Sequence, residues 1–341
     1  MGANDIEMSG LPELVELEHL IEDGASFLDT RRVCEVEAGT KRFPVYVCAL
    51  GSRSKDVPAV GFFGGIHGLE RIGSQVLLAF MRSIVTRLRW DKLLQQQMES
   101  IRLVFMPIAN PGGMWMGTRC NPHGVDLMRN APVESAEKVA WMIGGQRFSA
   151  RLPWYRGQPN GPMEIENQAI TNLVEEELIP RRFSVVLDCH SGFGLRDRIW
   201  FPYAHSRQPF EFLAEIHALK NLFDHTYPNH TYLFEPQCKQ YLTHGDIWDY
   251  LSQRSTQFAD RIFLPLTLEL GSWLWVKKNP RQLFSLRGMF NPMVPHRLQR
   301  VLRSHMLWLD FLTRAACAHQ HWLPAAESRK HHQEAAHTHW Y

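Results

Sequence analysis

The sequence predicts an α/β fold: a mixed, mostly parallel central sheet flanked by helices on both faces. Two observations carry this expectation. Short apolar runs alternate along the chain with segments of helical periodicity, the order that builds a covered sheet. The run "VPAVGFF" (Val57 to Phe63) is apolar throughout, as a strand buried on both faces must be.

Each element has its own signal. "RRVCEVEAGTKRFPVYVCAL" (residues 31–50) holds two β-rich runs about a Gly-Thr-Lys turn, which reads as a hairpin. After Val57–Phe63, residues Ile72, Val76, Leu77, Phe80, Ile84 and Leu88 recur at helical spacing. "IRLVFMPIANPGG" is a strand ending in a Pro-Gly loop, "MEIENQAITNLVEEELIP" a helix, and "RFSVVLDCHSG" a further strand. "RIFLPLTLELG" is another, and Leu298, Val301, Leu302, Leu309 and Leu312 mark a helix over Pro295 to Ala318. No repeat or Gly/Ser linker divides the chain, so residues 1–325 are expected to form one domain. From His319 to Tyr341 there are six histidines among Ala, Glu and Gln. Residues 326–341 therefore read as a His-rich, flexible tail rather than a metal-binding tract, because nothing in the sequence fixes ligand geometry.

Composition excludes several partners. With 341 residues, 45% of them hydrophobic, the chain can bury a large core. Its 37 basic and 35 acidic residues nearly cancel, which gives no electrostatic case for nucleic acid or a membrane surface. Acidic residues interrupt every apolar run in Met1–Leu20, against a secretory leader. Gly2 is not followed by Ser or Thr at position six, against N-myristoylation. No run reaches the roughly 18 apolar residues of a membrane span. Six cysteines without CxxC spacing read as reduced thiols, so a cytoplasmic protein is expected.

The chemistry lies where strands end. His67 and Glu70 follow the first apolar strand, His190 follows "VVLDC", and Glu269 lies in "LTLELG". Ligands of open α/β folds bind outside the carboxyl ends of strands, so these side chains can converge. Two imidazoles and a carboxylate are the ligand set of a catalytic zinc that keeps a position open. Glu269 inside an apolar run is expensive without a partner or a task.

The blocks "GGIHGLE", "NPGG", "TRCNPHGVDLMRN", "DCHSG" and "LTLELG" occur in that order between Gly64 and Gly271. In this the chain resembles the zinc metallocarboxypeptidase family. The resemblance implies one zinc ion held by His67, Glu70 and His190, with Asp126 orienting the first histidine. It implies Glu269 as general base, Arg119 polarising the scissile carbonyl, and Arg129 meeting a substrate carboxylate. The family's mobile tyrosine matches Tyr250, with Tyr241 as second choice. Asp188, two residues before His190, points to the same side of its strand; a partner for a ligand, a second metal and a helix cap all stay open for it.

One position departs from the pattern. The family has Asn before the second arginine, "DLNRN"; this chain has "DLMRN". Met128 cannot donate a hydrogen bond, which leaves a carboxylate clamp incomplete unless Arg196 or Arg198 compensates. The expected function is a zinc-dependent metallocarboxypeptidase-like hydrolase that cleaves a peptide or amide bond with a metal-activated water. The alternative is an N-acyl amino acid amidohydrolase resembling aspartoacylase and succinylglutamate desuccinylase, which have a similar GGxHGxE loop. A silent binding protein is a third reading, and Glu269 beside all three ligands argues against it.

Overall fold

The computed structural model describes residues 10–341, and an eight-stranded sheet runs through it. The Gly2 reading and the first half of the leader reading lie outside the described residues. Helix α1 (Pro12–Asp23) precedes the expected hairpin, β1 (Asp29–Ala38) and β2 (Lys41–Gly51), which pair antiparallel. Gly39 makes the turn with φ of +62°, a conformation that favours glycine.

Strand β3 (Ala59–Gly64) then leads into α2 (Arg71–Arg87). Next come α3 (Lys92–Met98), β4 (Arg102–Met106), α4 (Pro111–Met116), α5 (Ile165–Glu177) and β5 (Phe183–Ser191). The chain continues through β6 (Arg198–Phe201), α6 (Leu213–Thr226), β7 (Leu233–Pro236), α7 (Ile247–Ser255) and β8 (Ile262–Leu270). It closes with α8 (Trp273–Lys278), α9 (Leu286–Phe290), α10 (Pro295–Cys317), α11 (His319–Trp322) and α12 (Ala326–Trp340).

Strand order is β1-β2-β4-β3-β5-β8-β6-β7. The centre, β4-β3-β5-β8, is parallel, and antiparallel pairs join it to both flanks. All residues of β3, β4 and β5 are buried. Phe62 faces one core with α1, α2, α6 and α10, whereas its neighbour Phe63 faces a second core with α5 and α7. That alternation is the two-residue period of a strand with helices on both sides. The apolar runs were legible for this reason.

The tail expectation is corrected. Residues 326–340 form α12, packed on α6, with Ala336 and Trp340 buried. Its sequence is polar and only Ala336 and Trp340 are buried, too few to show as a periodic apolar face. No described helix is long and apolar enough to cross a membrane.

Candidate active site

Three connections converge at the carboxyl end of the parallel strands. The bend after β3 carries His67 and Glu70, and α2 starts at the next residue. Gly68 lets this bend approach α4: a Cβ there would lie 2.1 Å from the carbonyl carbon of Gly113. Asn291, far along the chain, clamps the same bend. Its side-chain oxygen accepts from Ile72 N at 2.9 Å, and its amide donates to Leu69 O at 2.8 Å. Strand β5 delivers His190, and the ladder places it directly beside Glu269 of β8.

His67, Glu70 and His190 are all buried, and ligand atoms from the three lie within 4.8 Å of one another. The Nδ1 atoms of the two histidines stand 3.2 Å apart. Glu70 Oε1 is 2.8 Å from His67 Nδ1, and Oε2 is 3.0 Å from His190 Nδ1. Donors at about 2.0–2.1 Å from one ion have such edges between them. The outward nitrogens are also held: His67 Nε2 lies 3.1 Å from Asp126 and His190 Nε2 2.6 Å from Asp188. Carboxylates in that position fix ring direction and raise ligand basicity. Asp188, whose role the sequence left open, thus does for His190 what Asp126 does for His67. Trp248 locks it by donating its indole N–H at 2.8 Å.

Electrostatics follow from burial opposed by pairing. Burial pushes the Glu70 carboxyl up, but His67 and His190 more than reverse this and hold it below the ordinary range. Burial likewise raises Asp126, and Arg119 and His67 overcome it. For Glu269 the opposing charges of His190 and Arg119 do not suffice. Burial first, then the charge of Glu70, push its carboxyl up to about 8.

These groups open on a cavity of about 550 Å³. Arg119 lines it, pinned by Nε to Asp126 at 2.9 Å and by Nη1 to Glu70 at 3.1 Å. Arg129 and Met128 line it too. The Arg129 guanidinium donates to the carbonyls of Ile143 and Met128. Aromatic walls come from Trp154, Phe193, Trp200, Trp273 and Phe290.

Two expectations fail here. Tyr250 does not line the cavity; it packs half-buried against the core beneath α7. Tyr241 takes that place, in the loop before α7, its buried phenol raised by desolvation and opposed by the neighbouring Arg129. Spacing to Glu269 could not separate the two tyrosines, because loop geometry decides which one faces inward. Nor does either candidate compensate for Met128. Arg198 is committed to Glu235 at 2.9 Å and lies over the Phe193 ring, and Arg196 lines a different cleft. Asn291 and Trp248 were missed, and no local signal could have found contacts made across 219 and 60 residues.

The fold and the cluster define a class: α/β proteins with a catalytic-type metal centre at the ends of parallel strands. The chain belongs to the zinc carboxypeptidase family, whose profile matches residues 21–273. It is 31% identical over 104 residues to carboxypeptidase SOL1 of Arabidopsis thaliana, 30% of this chain and 21% of that protein. It is 26% identical over 149 residues to carboxypeptidase E of Caenorhabditis elegans, 40% of this chain and 30% of that protein. The matched stretches thus span less than a third of either curated relative.

Among solved structures, carboxypeptidase A from Helicoverpa armigera superposes with a TM-score of 0.65 at 17% identity, covering 89% of this chain and 71% of that one. Bovine thrombin-activatable fibrinolysis inhibitor, in complex with tick carboxypeptidase inhibitor, gives 0.63 at 16%, covering 90% and 97%. At these identities the likeness is one of fold. Zinc is the family's metal, and the buried His-Glu-His donor set fits it.

Proposed function

We propose that this chain is a zinc-dependent carboxypeptidase, hydrolysing the C-terminal peptide or amide bond of a peptide-like substrate. One observation carries the reading: β5 and β8 set Glu269 beside His190, buried and without an ion pair among the described residues. A carboxylate so placed is expensive unless it has work to do.

His67, Glu70 and His190 would hold the ion. When bound, zinc supplies Lewis-acid polarisation of the scissile carbonyl and acidifies an attacking water. A Glu269 carboxylate oxygen takes the proton of that water and returns it to the leaving amine nitrogen. Arg119, immobilised by two carboxylates, presents its guanidinium edge to the developing oxyanion. Arg129 and Tyr241 meet the substrate carboxylate, the guanidinium fork suiting bidentate contact. The aromatic walls favour a bulky apolar side chain at the released residue. A reducing compartment, the cytoplasm, belongs to the same proposal and is supported by six unpaired cysteines.

The test is hydrolysis by zinc-loaded protein of matched free-acid peptides, their amides and N-acyl amino acids. Release of a C-terminal residue is expected. Glu269→Gln should keep its zinc and lose about 10²–10⁴-fold in kcat. Turnover confined to N-acyl amino acids would replace this reading with the amidohydrolase alternative.

A further inference from the structure

The histidine-rich terminus contributes to a second cluster, outside the cavity. α12 docks on α6 and β7, anchored chiefly by residues other than its histidines. The Trp340 indole N–H donates to Phe234 O at 2.8 Å, and Arg329 pairs with Glu215 at 2.8 Å. Docking brings His332 of α12 against His217 of α6, Nδ1 to Nδ1, at 2.9 Å. Two imidazoles carried by two helices that pack on each other are already placed for a shared ligand.

A contact this short between two ring nitrogens admits one shared proton or one metal ion. Nitrogens about 2.0–2.1 Å from an ion, on neighbouring corners of its coordination sphere, lie roughly 3 Å apart. The facing nitrogens of His67 and His190 show the same edge at 3.2 Å. The Asn221 amide nitrogen lies 3.4 Å from His217 Nδ1, and an amide flip turns the oxygen there instead. Lys220, one turn along α6, is neutralised by Asp224. Both rings are only half-buried, which leaves an entry path and room for water ligands.

We propose that His217 and His332 form a second site for a divalent transition-metal ion of the kind imidazole prefers, such as zinc or nickel. The ion staples the terminal helix to α6. It binds more weakly than the His-Glu-His centre, which offers a third, charged ligand.

The experiment titrates zinc into protein already carrying its first equivalent, read by calorimetry and by protease cleavage between α11 and α12. Wild type should bind a second equivalent and become more resistant to cleavage. His217→Ala and His332→Ala should each weaken that step by at least roughly 10–100-fold, the loss seen when even an orienting partner of a ligand is removed. Both should keep the first equivalent and their hydrolytic activity. His337→Ala, which changes an exposed histidine on the same helix, should behave as wild type. A wild-type isotherm without a second equivalent would mean that the pair shares a proton. A second equivalent surviving in both variants, or lost in His337→Ala, would assign it to surface histidines. Either result overturns the proposal.

Discussion

Glu269 sets the pH behaviour of the site. In the metal-free protein its carboxyl sits at about 8 instead of 4.5, through burial and then the charge of Glu70. The folded state therefore binds more protons than the unfolded chain between those values. Stability tied to this group is fully present below 4.5 and is lost as pH rises towards 8. Chelated wild type should lose stability across that window relative to chelated Glu269→Gln, measured by urea unfolding at stepped pH. Parallel curves would locate the shifted proton on another group. Met128 is the second residue with a clear consequence. It lines the cavity beside Arg129 and offers no donor, so in the proposed reaction one lone pair of the substrate carboxylate would go unmet, worth about 1–3 kcal/mol. Met128→Asn should raise the ratio of kcat/KM for a free-acid peptide over its amide. An unchanged ratio would reduce Met128 to a packing role.

At the scale of elements, the site depends on how closely α2 and its leading bend approach β5 and α4. A Cβ on Gly73 would lie 2.2 Å from the carbonyl oxygen of Cys189, the residue before His190. The obstacle is backbone, so it cannot swing aside. Gly73→Ala should cost about 1–3 kcal/mol of stability and separate Glu70 from His190. Zinc affinity should fall with it, measured by competition with a chromogenic chelator. Retained affinity would mean that the helix shifts without disturbing its ligand. The apolar strands and the long helices were legible from the sequence because burial imposes a period that it displays. β6 and β7 were not, since they have four residues each, too few to display a period, whereas α6 does display one in Leu213, Ile216, Leu219 and Phe223. Tyr250 was misplaced for a related reason: spacing locates an element but not the direction of a loop side chain.

For the whole molecule, the terminal helix is part of the body. Trp340 is 4% exposed, stacks edge-on against Phe201 and donates to Phe234 O. Trp340→Ala should destabilise by about 3–5 kcal/mol in urea unfolding. Hydrolysis under native conditions should persist, because no residue of α12 lines the catalytic cavity. Equal loss of kcat in the folded variant would show that α12 reaches the site through the sheet.

The sequence by itself determined the fold class, the three metal-site residues, Glu269 and the two cavity arginines. The fold class, the metal-site residues and Glu269 depend on short-range physics, namely strand ends, glycine bends and side-chain chemistry within blocks of a few residues, whereas the two arginines came from the family resemblance. Only the tertiary structure decided that Asp188 braces His190, that Asn291 clamps the bend, that Tyr241 faces the cavity and that His332 meets His217. These contacts join elements far apart in the chain, and packing of the two cores on the sheet, rather than any local pattern, brings them together.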